Sequence, residues 1–97
     1  MAERRFPLRG DVDLATVVDL QTKLNVLIDA TDDDIVLDCA ELQFIDSTGI
    51  GLVIHVQQAL DVQGRRCTIV NMSDGARRPF DILGLTGRLG IGELDSA

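Results

Sequence analysis

A small single-domain α/β fold with a mostly parallel, partly mixed sheet is what this sequence predicts, on three observations. Short strand-like runs alternate with longer stretches of helical period, in the order strand, helix, strand, helix, strand, helix. Ile35-Val36-Leu37 is apolar without a break and bounded by acids, the mark of a strand covered on both faces. Cys67-Thr68-Ile69-Val70 reads as a second buried strand. Across 97 residues no internal repeat or linker appears, so residues 1–97 form one domain with one modest core. The expected sheet has about four strands packed with α-helices.

Along the chain, residues 4–9 alternate polar and apolar and read as a short strand, which Gly10 ends. Pro7 has no N–H to give a ladder, which places that strand at an edge or Pro7 at a strand start. Asp13 then suits the N-cap of a helix over about 14–29, whose buried stripe is Val17, Leu20, Leu24, Leu27 and Ile28. Asp29, Asp32, Asp33 and Asp34 make a charged turn without metal-ligand spacing. Leu42, Phe44 and Ile45 lead into a central helix that runs to about Val62 and ends at Gln63-Gly64. Ser73 can cap a further helix with Phe80, Ile82, Leu83 and Leu85 as core contacts, and Gly84 suits its end. Pro79 is awkward inside that helix, because it removes a bond and clashes one turn back, so a late start or a kink is expected. Leu89 to Ile91 reads as a last short strand, and the tail from Glu93 as loose.

Composition narrows the function. The chain is 45% hydrophobic and 26% charged, with a formal net charge of −7, which argues against nucleic acid and anionic membranes as partners. Neither a membrane-length apolar run nor a leader peptide is apparent, so the expected location is cytoplasmic. Cys39 and Cys67 lie in apolar runs and read as buried thiols; with one His they do not make a zinc site. Neither a metal nor a cofactor is expected.

One stretch concentrates chemistry: Phe44-Ile45-Asp46-Ser47-Thr48-Gly49-Ile50-Gly51. Asp46, Ser47 and Thr48 all favour helix N-termini, because their short oxygens accept from unpaired backbone N–H groups. Beyond them Ser47, Gly51, His55 and Gln58 are spaced by four, four and three, and fall on one polar stripe opposite a wide apolar face. A hydroxyl in solvent at a helix N-terminus is well placed to carry a phosphate, since the free N–H groups and the dipole favour added negative charge. The plainer alternative is that Ser47 is only a cap. Gly49 and Gly51 are unfavourable inside a helix by up to ~1 kcal/mol each, which suggests close approach of a neighbouring strand or of a partner. His55 has no carboxylate or serine at catalytic spacing and reads as surface or interface.

At these residues the sequence resembles the STAS domain family, that of the anti-sigma factor antagonists. The matching pieces are Gly10-Asp11-Val12-Asp13, the stretch from Phe44 to Gly51, and Arg78-Pro79-Phe80-Asp81-Ile82-Leu83-Gly84-Leu85. Together they span about residues 4–91, leaving 92–97 as a tail. The resemblance implies that the first hydroxyl after the motif Asp is the phosphoacceptor, which is Ser47, with Thr48 as second choice. It also implies a partner surface formed by Asp11, Asp13, Asp46, Ser47, Thr48, Gly49, Gly51 and His55. The implied partners are an anti-sigma factor with serine kinase activity, which phosphorylates and so releases the antagonist, and a PP2C-type phosphatase that reverses this. Two departures stand out. Nine residues precede Gly10 where the family usually has a further strand, so the sheet is expected to be one strand short, with an edge open to a second copy. Pro79 replaces the usual aliphatic residue. An alternative role within the family is a regulatory STAS subunit of another machine, such as a cytoplasmic lipid-transport ABC complex. An enzyme ranks last: no phosphate loop, nucleophile–base pair or metal cluster is visible.

Overall fold

A computed structural model describes residues 2–82. Five short strands and three helices follow in the order β1 (Glu3–Pro7), β2 (Gly10–Val12), α1 (Val17–Ala30), β3 (Asp34–Asp38), β4 (Leu42–Ile45), α2 (Ser47–Asp61), β5 (Cys67–Val70) and α3 (Asp74–Ile82). All strand pairings are parallel: β1-β3-β5 form one sheet and β2-β4 a second. The α/β reading holds, and its sheet is divided more finely than the sequence suggests. Gly10 does not end the first strand. It adopts φ +65°, which a side chain disfavours, and turns the chain into β2. The partner strand breaks in step, between β3 and β4. Leu8 N donates to Asp38 O at 2.9 Å and Gly10 N to Glu41 O at 2.9 Å, so the two chain paths stay joined across the break.

The central strand β3 takes partners on both sides. Asp34 N donates to Ala2 O, while Ile35 N donates to Arg66 O and Cys39 N to Val70 O. Its apolar run is buried throughout, as a strand covered on both faces requires. Because Ala2 and Leu8 bond toward β3, the alternate residues Glu3, Arg5 and Pro7 turn their backbones to the edge that has no partner strand among the described residues. Pro7 thus removes a donor from the exposed row, and Arg4 and Arg5 add charge beside it. These are features that discourage edge-to-edge pairing with a second copy.

The core gathers Leu8, Val12, Leu24, Ile35, Leu37, Val53, Val56, Leu60, Ile69 and Phe80, each almost fully buried. Each such side chain contributes roughly 1.5–3 kcal/mol of burial. On α1, Val17, Leu24 and Ile28 are buried and Leu20 and Leu27 pack partly against them, as the stripe predicts. The helix starts later than expected. Asp13 caps the turn ahead of it, accepting from Ala15 N at 3.0 Å, and Thr16 is the helix N-cap residue. Leu14 therefore lies outside the helix and is 77% exposed.

Ser73 caps α3 through Ala76 N (3.2 Å), and the helix runs from Asp74 through Pro79 without a late start. The expectations for Leu83, Gly84, Leu85, the strand at 89–91 and the tail lie outside the described residues.

Arg65 went unnoticed in the sequence, yet it is only 9% exposed. Its guanidinium donates to Asp33 O (2.7 and 3.0 Å), to Ile28 O near the end of α1 (3.1 Å) and to Gln63 Oε1 (2.7 Å). It satisfies carbonyls that the helix end and the following turn leave unpaired. At the other end of β3, Asp38 accepts from Asn71 Nδ2 (3.1 Å) and from Ala40 N (3.0 Å). These two bonds, with the nearby Arg5 charge, hold its carboxyl below the usual carboxylate range. Burial pushes the Cys67 thiol up to about 12.

Candidate functional site

The site forms where β2 and β4 run out together. Val12 lies beside Ile45 in register, and Asp46 N donates to Val12 O at 3.2 Å. Asp13 and Asp46, the next residues on each chain, therefore leave the sheet side by side. Asp46 keeps extended backbone (φ −106°, ψ −172°) and caps α2: its Oδ1 accepts from Gly49 N at 3.0 Å and its carbonyl from Ile50 N at 2.9 Å. Capping thus falls to Asp46 and not to Ser47. Ser47 is the first helical residue and is exposed, and among the described residues its hydroxyl has no hydrogen-bond partner. The N–H groups of Ser47 and Thr48 precede the first helical bond and open toward the same tip. Thr48 is half-buried.

Gly49 is buried at the contact between α2 and the sheet. A Cβ there would meet Val12 O and Ile45 Cγ1 at 2.6 Å and Val12 Cγ1 at 2.8 Å. The helix can approach β2 and β4 this closely only with glycine at this position. Gly51, half a turn on, is exposed and a Cβ there would meet nothing within 4 Å. The two glycines therefore answer the sequence alternatives differently: strand approach at Gly49, open surface at Gly51. His55 and Gln58 continue the exposed stripe, and His55 Nε2 lies 3.3 Å from Asn25 Oδ1 on α1.

Asp11 sits opposite Phe44 in the β2-β4 register, and both are exposed. Asp11 lines a groove with Arg9, Thr16 and Asp19, whereas Ser47 lines another. Thr16 Oγ1 donates to Asp11 O (2.9 Å) and accepts from Asp13 N (3.0 Å), which fixes the turn after β2. The structure thus gathers Asp13, Asp46, Ser47 and Thr48 at one edge. It runs Gly51 and His55 down from that edge and sets Asp11 in a different groove.

A cleft of about 420 Å³ opens beside Ser47, between the start of α2 and α3, lined by Ile45, Asp46, Ser47, Ile50, Gly75, Arg78 and Pro79. The α3 side of this cleft was not foreseen. Arg78 and Pro79 belong to the third matching motif, but the sequence gives no sign that α3 packs back toward the tip of α2. Among the described residues no group of three or more His, Cys, Asp or Glu is arranged to hold a metal ion. None of the described helices is long and apolar enough to cross a membrane. The arrangement offers a hydroxyl, helix N–H groups, a guanidinium and an apolar cleft. That equips it to carry an anion and to present a surface.

Comparison with known proteins fits this geometry. A family model described as "Mlab, STAS domain" matches residues 2–93. An anti-sigma-B factor antagonist of Staphylococcus epidermidis is 30% identical over 84 residues, covering 87% of this chain and 78% of that protein. The solved anti-sigma factor antagonist SpoIIAA in its unphosphorylated form shares 28% identity and superposes with a TM-score of 0.74, over 89% of this chain and 72% of that one. The Bacillus cell fate determinant SpoIIAA in its phosphorylated form shares 26% identity with a TM-score of 0.68, over 86% and 76% of the two chains.

Proposed function

The chain belongs to the STAS domain family, and we propose that it acts there as an anti-sigma factor antagonist switched off by phosphorylation of Ser47. One observation carries this reading: Asp46 does the capping, which leaves the Ser47 hydroxyl exposed and, among the described residues, unbonded at the tip of α2. In its unmodified state the surface around Asp13, Asp46, Ser47, Thr48, Gly51 and His55 docks onto an anti-sigma factor that is also a serine kinase. That kinase moves the γ-phosphoryl group of ATP onto Ser47 Oγ. The Oγ–P bond forms, ADP leaves, and the hydroxyl proton passes to the kinase. A PP2C-type phosphatase hydrolyses the ester and restores docking.

The physics of release is local. Phosphate adds about −1.5 to −2 charge to a domain that already carries −7. A partner packed over Ser47 must then desolvate a dianion, and a loss of a few kcal/mol weakens binding by on the order of a hundredfold or more. No global transition is required. The likeness to SpoIIAA structures in both phosphorylation states supports a switch that leaves the domain intact.

The test is phosphorylation by the cognate kinase followed by intact-mass measurement, with pull-downs of wild type, Ser47→Ala and Ser47→Asp. Wild type should gain one phosphate and Ser47→Ala none, while Ser47→Asp should lose the anti-sigma factor. Full phosphate incorporation in Ser47→Ala would overturn the assignment, with Thr48 the next candidate. A second reading is favoured by the description of the matched family model, which does not name an antagonist. On that reading the chain is a regulatory STAS subunit of another complex, such as a cytoplasmic lipid-transport ABC system. Co-purification with an ATPase subunit, unaffected by Ser47→Asp, would select it.

A further inference from the structure

The cleft beside Ser47 holds a cation that the antagonist reading leaves unused. Arg4, Arg5 and Arg9 pair with Asp33, Asp38 and Glu41, and Arg65 is consumed by carbonyls. Arg78 is different. Among the described residues no carboxylate forms an ion pair with it, although the chain has 16 acidic residues against nine Lys and Arg. Asp46, which shares its cleft, has one oxygen committed to Gly49 N. An exposed guanidinium, with no carboxylate paired to it among the described residues, thus stands on α3 and lines the same cleft as a hydroxyl that has no partner among them.

We propose that Arg78 is the internal counter-ion for phosphate on Ser47, so that modification ties the tip of α2 to α3 across the cleft. This rests on the reading of Ser47 as phosphoacceptor. A phosphoserine dianion at the tip would otherwise stand beside the Asp46 carboxylate in a domain with excess negative charge. The planar guanidinium matches two phosphate oxygens at once, and the open N–H groups of Ser47 and Thr48 face the third. Held in this way, the phosphate lies over the apolar floor formed by Ile45 and Ile50. A partner then loses the cleft as well as meeting the charge. Arg78 is a positioning residue for the modified state and takes no part in the transfer.

The experiment installs phosphoserine at position 47 during translation, in the full chain, with Arg78 intact, Arg78→Gln or Arg78→Lys. The second phosphate pKa is then read by phosphorus NMR. With Arg78 present it should lie below that of the Arg78→Gln protein by about half a unit or more at low salt, and the gap should narrow as salt is raised. Arg78→Lys should fall between, because it keeps the charge and loses the fork. Phosphorylation should also raise the melting temperature more in wild type than in Arg78→Gln. Equal phosphate pKa values in wild type and Arg78→Gln would overturn the pairing; a melt of unmodified Arg78→Gln verifies that it folds. Because no kinase is involved, the outcome is separable from the parent reading, which fails instead when the cognate kinase leaves Ser47 unlabelled.

Discussion

Gly49 and Gly51 lie two residues apart on α2 and should respond to alanine in opposite directions. At Gly51 the added methyl meets open space, so only helix propensity changes. Alanine exceeds glycine there by roughly 0.8–1 kcal/mol, and Gly51→Ala should stabilise the domain by about that much. At Gly49 the same gain is present, but the methyl would sit 2.6 Å from the Val12 carbonyl oxygen. That atom is backbone, and it accepts from Asp46 N, so it cannot swing aside as a side-chain end would. Relief requires α2 to lift from β2 and β4. Overpacking of this kind costs about 1–3 kcal/mol, with the upper part of that range apt where backbone blocks the site. The net effect of Gly49→Ala is then a loss of about 1–2 kcal/mol, or roughly 4–16 °C in Tm for a domain of this size. Guanidinium unfolding followed by circular dichroism reads both variants against wild type. If Gly49→Ala were as stable as wild type, the close approach of α2 to the sheet would be wrong, and with it the position of Ser47.

Three further outcomes follow from the fold. Arg65→Met keeps the buried stem and leaves Ile28 O and Asp33 O without their donors; it should cost about 2 kcal/mol or more, read as a lowered denaturation midpoint at unchanged slope. Asp38 titrates below its unfolded value, so its contribution is present above the unfolded carboxylate pKa and fades as pH falls through the lowered one. The stability gap between wild type and Asp38→Asn, read in parallel denaturation series, should therefore hold from neutral pH down to about pH 5 and shrink as pH falls through the ordinary carboxylate pKa of about 4 and below it, and a constant gap across that acid range would contradict the assignment. With its thiol pushed up to about 12, Cys67 should resist thiol reagents near neutral pH in the native state and react promptly after unfolding, as counted by mass spectrometry.

Much of this architecture was legible because local chemistry and global burial agree. The uninterrupted Ile35-Val36-Leu37 run could only be a covered strand, and the spacing of Ser47, Gly51, His55 and Gln58 fixed the exposed face of α2 before any contact was known. Pro7 pointed to an edge and its backbone does face the open row. What escaped the sequence depends on distance in the chain. The break between β1 and β2 is matched by a break between β3 and β4, and only the paired register reveals that they coincide. Asp13 looked like a helix cap because an Asx turn and an N-cap use the same side-chain oxygen. Arg65 drew no reading, since the carbonyls it serves, Ile28 O and Asp33 O, lie over thirty positions away. Arg78 could be read as part of a motif but not as a neighbour of Ser47.

The contrast between the two faces of α2 connects stability to regulation. Its inner face is fixed: Gly49 lets the helix sit on β2 and β4, Asp46 secures the first turn, and Ile50, Val53, Val56 and Leu60 fill the core. Its outer stripe gives up stability at Gly51, where no packing among the described residues requires glycine. Nearby Phe44, 50% exposed, withholds part of a large apolar surface from the core. A domain selected for stability alone would place alanine at the first position and a polar residue at the second. On the proposed docking surface, a partner that packs closely against the stripe accounts for the glycine at position 51. On the proposed switch, the rigid inner face means that the scaffold does not yield to a phosphate dianion on Ser47, so the penalty falls on the docked surface.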